Sequence, residues 1–209
     1  MHARLCLWTL FAFFTQPLAA QLDLEARVPP GGGSALKLQS LVFNGSGCPQ
    51  GVGARSQIQG DVLWLIFPNE LTAESGPDSA PSQRRKNCIA TLRFAPSLQS
   101  YAIESLAFGA LASLPADADA KLNVSWFHEG QGQTASFAET LEGPWNDEWY
   151  ADFSQPFRPS ELLWKPCGLE RALNINSSVL VSDSAYDARA QLRVLGVRFK
   201  RKNCLNTGY

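Results

Sequence analysis

The stretch ETLEGPWNDEWYADF, residues 139–153, holds the densest set of groups that could act on a ligand. Glu139, Glu142, Asp147, Glu148 and Asp152 supply carboxylates with no base among them, and Trp145, Trp149 and Tyr150 are interleaved. Paired carboxylates beside aromatic rings suit glycoside hydrolysis, where one carboxyl acts as acid and the other as base or nucleophile. The same composition suits a platform for stacking sugar rings, or calcium binding through carboxylate oxygens. A plain turn, with aromatics in the core and acids in water, needs no ligand at all. No spacing rule selects a carboxylate pair, so Trp145, Asp147, Glu148, Trp149, Tyr150 and Asp152 are candidate ligand-binding residues and no catalytic residue is assigned. Geometry separates the readings. Exposed, coplanar Trp145 and Trp149 mean sugar binding, and two carboxylates about 5–9 Å apart in a cleft mean hydrolysis. Buried tryptophans without a cleft mean a structural or protein-binding factor.

Other reactive constellations are sparse. With His2 in a leader segment, His128 is the one histidine left to serve a nucleophile, and no G-x-S-x-G turn is present. It reads as a surface residue at a strand end. One histidine cannot build a His-rich metal site, and no cofactor or metal is expected. Net charge is −1, which argues against a nucleic-acid partner. The bases Arg198, Lys200, Arg201 and Lys202 read as protection of a sheet edge. A contact with an anionic polymer is the sharper alternative.

The first residues read as an address. One base precedes LCLWTLFAFF (5–14), an apolar run of about ten residues that is too short to span a bilayer and fits a signal-peptide core. Cleavage after Ala20 is expected, which implies an exported protein with no membrane segment afterwards. Cys6 departs with that segment, leaving Cys48, Cys88, Cys167 and Cys204. An even count in an exported chain reads as two disulfides, in any of three pairings. No C-x-x-C spacing supports zinc.

The elements that must position these residues are short strands. VPPGGGS (28–34) closes a flexible leader over 21–34, and the domain is expected over 35–205, with a tail over 206–209. Strand-like runs follow at 36–43, 61–67, 88–94, 101–108, 121–127, 134–141, 148–153, 171–181 and 188–200. They predict an all-β, single-domain antiparallel β-sandwich, jelly-roll-like or Ig-like. In KLNVSWF, Leu122, Val124 and Trp126 share one face; in RALNINSSVLV, Leu173, Ile175, Val179 and Val181 do. DVLWLIF reads as a central strand covered on both sides. The apolar parity of the last run changes around Gly196, which predicts a β-bulge there. AESGPDSAPSQRRK (73–86) reads as a mobile loop open to a protease at Arg84-Arg85-Lys86. N-x-S sequons mark Asn44, Asn123 and Asn176 as candidate glycan acceptors, and alternation places Asn123 and Asn176 outward.

NGSGCPQG (44–51), RKNC (85–88) and LLWKPCGLERALNIN (162–176) carry a resemblance, with GPWNDEWYADF (143–153) fitting more loosely. The chain resembles small secreted, mainly fungal proteins known as domain of unknown function 4360, from about Leu36 to Cys204. That resemblance implies a signal peptide, four cysteines and all-β character, and carries no catalytic residue. A few residues past the last cysteine and the long 73–86 stretch depart from it. The order of the shared patches implies Cys48–Cys88 and Cys167–Cys204. Chain entropy, roughly 4 kcal/mol for a loop of about 40 residues, does not choose this over Cys48–Cys204 with Cys88–Cys167. The function expected is a secreted, non-catalytic module contacting cell-wall or host polysaccharide. Alternatives are a carbohydrate-active hydrolase using acids of 139–152, or a secreted structural factor with an extracellular protein as partner.

Overall fold

Period-two alternation sorts the strands into two layers. The computed structural model describes residues 36–49, 53–67 and 71–204. The expected signal peptide (1–20), leader (21–34) and tail (206–209) lie outside the described residues. The strands in chain order are β1 (Leu38–Asn44), β2 (Arg55–Gln59), β3 (Val62–Ile66), β4 (Thr72–Ser75), β5 (Arg85–Phe94), β6 (Gln99–Leu114), β7 (Asp119–His128), β8 (Ala135–Glu142), β9 (Trp145–Ala151), β10 (Leu173–Val181) and β11 (Ala188–Asn203). One sheet runs β1-β5-β10-β7-β8. The other runs β2-β3-β11-β6-β9, with β4 also paired to β11. All pairings are antiparallel. The fold is the expected β-sandwich, braced by the disulfides Cys48–Cys88 and Cys167–Cys204.

The core lies between the inner faces. Leu122, Val124 and Trp126 of β7 and Leu173, Ile175, Val179 and Val181 of β10 are buried there, as their parity requires. Leu63 and Leu65 of β3 meet them from the second sheet, with Leu192, Leu195, Val197 and Phe199 of β11. Each such side chain contributes roughly 1.5–3 kcal/mol relative to exposure.

Several expectations are corrected. The ladder of β11 is regular from Val194 to Arg198 against both β3 and β6, so no bulge sits at Gly196. The register shifts instead between Leu192 and Val194 and between Arg198 and Phe199. The first shift moves the inward set from Leu192 to Leu195, which is how both apolar groups stay inside. Gly196 faces outward, where a Cβ would meet Trp64 Cζ3 at 2.6 Å and Phe153 Cζ at 2.7 Å. Glycine there serves ring packing, not a change of register. The basic run is divided by the sheet: Arg198 lies where β11 is central between β3 and β6, whereas Lys200, Arg201 and Lys202 run past the end of β3 and are laddered to β6 on one side. β3 lies between β2 and β11, yet its outer face is only partly covered, with Trp64 half-buried and Ile66 36% exposed.

The stretch 73–86 is not a loop throughout. It begins inside β4, where Ala73 and Ser75 are buried, and ends in β5, where Arg85 and Lys86 pair with Leu180 and Val179. Arg84 joins Asp183 in an ion pair of 2.7 Å, and its carbonyl accepts from the Val181 N–H. A protease would therefore have to peel apart a ladder to reach this basic site. Strands β2 and β4 carry too few apolar residues to signal themselves and are formed by their pairings with β3 and β11.

Candidate functional site

The site is built where the sandwich opens between two of its edge strands, β8 and β9. The chain crosses from one sheet to the other through the Gly143–Pro144 cis peptide. On β8, Ala135, Phe137, Glu139 and Leu141 share the inward parity. Phe137 is half-buried, whereas Glu139 is exposed although it stands opposite the buried Leu122. Glu139 is thus an inward-facing carboxylate at the rim. On β9, Trp145, Asp147 and Trp149 share one parity and Asn146, Glu148 and Tyr150 the other.

The candidate residues do not act as one group. Trp149 is buried, with its ring edge-on to Phe108 at 5.3 Å. Trp145 is 39% exposed and its Nε1–H donates to the Asp147 carbonyl at 3.2 Å. One ring inside and one at the surface do not make a paired platform. Asp147 Oδ1 accepts from the Glu148 N–H at 2.7 Å. Tyr150 is 72% exposed, and Asp152 follows just beyond β9.

Between the rims lies a cleft of about 380 Å³. Leu106, Phe137 and Phe157 give it apolar walls; Glu139, Tyr150, Asp152, Ser154 and Gln155 give it polar ones. The Ser154 hydroxyl and the Ser154 N–H, the latter at 3.0 Å, hold the Asp152 carboxyl below the usual carboxylate range. Asp152 is therefore ionised across the ordinary pH range and suits accepting hydrogen bonds or acting as base. On the other flank of β9 a second hollow, about 370 Å³, is lined by Leu111, Ser113, Asn146, Asp147, Arg189 and Gln191. Leu106, Phe137, Gln155 and Phe157 escaped sequence reasoning because they come from other elements and only pairing assembles them. The inward parity of Glu139 was the one signal that could have flagged the rim.

The other candidates separate as well. His128 is not a surface residue: it is 1% exposed, sharing the inward parity of Leu122, Val124 and Trp126. Its Nε2 lies 3.3 Å from the Leu163 carbonyl, and burial pushes its pKa down to about 4. The basic run is internally engaged. Arg198 lies over Phe153 at 4.2 Å and Lys202 over Trp164 at 4.3 Å, while Lys200 pairs with Glu104 and Arg201 with Asp61. Carboxylates offset Lys200 and Arg201, whereas Arg198 and Lys202 keep their charge over aromatic faces. Asn44 is exposed, and Asn123 and Asn176 are half-buried on the outer face of the first sheet. Among the described residues, no group of three or more His, Cys, Asp and Glu is placed to hold a metal ion. Among them also, no helix is long and apolar enough to cross a membrane.

A family model described as "Domain of unknown function (DUF4360)" matches residues 34–204. A relative from Arthroderma benhamiae, named "Uncharacterized secreted protein", is 27% identical over 183 residues, covering 82% of this chain and 72% of that protein.

Proposed function

Since the chain belongs to the DUF4360 family, a family without an established activity, we propose from its own geometry that it is an exported, non-catalytic polysaccharide-binding protein whose contact site is the β8–β9 rim. Export is supported by the apolar leader, by two disulfides and by a relative named as secreted. The observation that carries the binding reading is Tyr150, an exposed ring at the mouth of a cleft whose polar wall holds Glu139, Asp152 and Gln155. An exposed aromatic face takes the C–H face of a sugar ring, and fixed carboxylate and amide groups orient its hydroxyls. Trp145, half-open at the far end of β9, extends the rim along the strand.

Retention of the secreted protein on a panel of insoluble cell-wall polysaccharides tests this. At least one should retain it, with Tyr150→Ala weakening retention about tenfold, or roughly 1.4 kcal/mol. Glu139→Gln with Asp152→Asn should weaken it further. Retention by none of the panel, or by all variants equally, defeats the reading.

Glu139 and Asp152 lining one cleft also favour a second reading, a hydrolase acting on the same polysaccharide. Asp152, held ionised, would be base or nucleophile and Glu139 the acid. Release of reducing ends that vanishes in Glu139→Gln would establish it; retention without release leaves binding alone.

A further inference from the structure

The outer face of the five-stranded sheet gathers all three N-x-S sequons, although they lie far apart in sequence. Asn44 of β1 and Asn176 of β10 both stand opposite Ile89 of β5, and Asn176 stands opposite Ser125 of β7, so they share one cross-strand row. Asn87, Ser178 and Asn123 form the next row. Two strand spacings, about 10 Å, separate Asn44 from Asn176. Asn123 is a diagonal neighbour of Asn176, about 7–8 Å away. The middle of this face is uncharged: Ile89, Thr91, Asn174, Ser125, Ser136 and Ala138 surround the sequons. Val42, Phe127 and Leu180 add partly exposed apolar surface around it. A solvent-facing sheet normally carries charges that oppose association with another chain; here the centre has none.

We propose that this face is covered by the protein's own N-linked glycans, attached at Asn44, Asn123 and Asn176. The side-chain geometry suits it. Asn176 Oδ1 accepts from Asn87 Nδ2 at 3.4 Å, which leaves Asn176 Nδ2 to carry the sugar. Transfer joins Nδ2 to the anomeric carbon of a lipid-pyrophosphate-linked oligosaccharide. The C–N bond forms as the C–O bond to pyrophosphate breaks, the amide proton passes to a base, and nothing is oxidised or reduced. Transfer precedes folding, so the fold's part is to leave each product pointing into solvent, which the outward parity of all three residues does. The apolar side chains then lie under sugar rings, and the opposite sheet and the β8–β9 rim stay bare for contact.

This inference rests only on the export half of the proposed function. The test is secretion from a eukaryotic host, followed by enzymatic removal of N-glycans from the folded protein in heavy-oxygen water, which converts each occupied asparagine to labelled aspartate. Label at residues 44, 123 and 176 and a monomer before deglycosylation are the expected results. Ser46→Ala, Ser125→Ala and Ser178→Ala should each remove one glycan while keeping the asparagine. Secreted protein unlabelled at Asn44, Asn123 or Asn176 overturns the inference without touching export, and so does a dimer formed by glycosylated chains through this face. Protein that never reaches the medium overturns export itself.

Discussion

His128 shows how one side chain links burial to pH. It stands on the inward parity of β7, its ring edge-on to Tyr101 at 5.5 Å, with Lys165 and Arg171 contributing positive charge nearby. Burial is the largest cause of its lowered pKa, because the imidazolium loses its hydration there. An unfolded histidine takes up its proton near pH 6.5, and the folded one only near pH 4. Between those values the unfolded state binds more protons, so stability falls as pH falls through that window. The loss reaches roughly 3 kcal/mol at the acid end. Urea unfolding at pH 7.5, 5.5 and 4 should show it, and His128→Gln should flatten the slope between pH 6.5 and 4. Equal slopes in the two proteins would place the dependence elsewhere. Residue type alone said nothing of this; alternation from Leu122 through Trp126 extends to residue 128 and would have placed the ring inside.

At the scale of elements, β11 organises the second sheet. It pairs with β3 and β4 along one side and β6 along the other, and the register shift between Leu192 and Val194 keeps Leu192 inward together with Leu195, Val197 and Phe199. A change of apolar parity was legible in the sequence, but its location was not, since glycine is only one cause of such a change. Gly196 is fixed by what crosses it: the Trp64 and Phe153 rings meet edge-on at 5.6 Å above the strand, and Arg198 lies on Phe153. Gly196→Ala should cost about 1–3 kcal/mol through overpacking, with the ladder itself preserved. Chemical denaturation measures the loss, and tryptophan fluorescence reports the displaced indole. A neutral substitution would show that these rings yield freely. β9 makes a parallel point. Its three aromatics were legible as a cluster, yet pairing with β6 sends Trp149 into the core and leaves Tyr150 outside.

For the whole molecule, the disulfides fasten connections, not strand pairs. Cys48–Cys88 ties the chain after β1 to β5, and Cys167–Cys204 ties the chain before β10 to the end of β11. Replacing Cys167 and Cys204 together by Ser should lower stability by about 4 kcal/mol, the chain-entropy value for a loop of that length. Guanidinium unfolding of the pair variant checks it, and a loss below about 1 kcal/mol would mean the sandwich holds this connection unaided. The two copies of RKNC that hold Cys88 and Cys204 are unrelated in the fold: the first opens β5 beside β10, the second ends β11 beside β6. The sequence by itself determined the all-β class, most strand positions and the outward placing of Asn123 and Asn176, because alternation and turn residues act over a few neighbours. The cysteine pairing was legible through resemblance, not through loop entropy. Only the tertiary structure decided which strand is central, where β11 shifts register, and that Glu139 and Asp152 line one cleft. Those features depend on pairings between residues far apart in the chain, and local pattern does not specify its long-range partner.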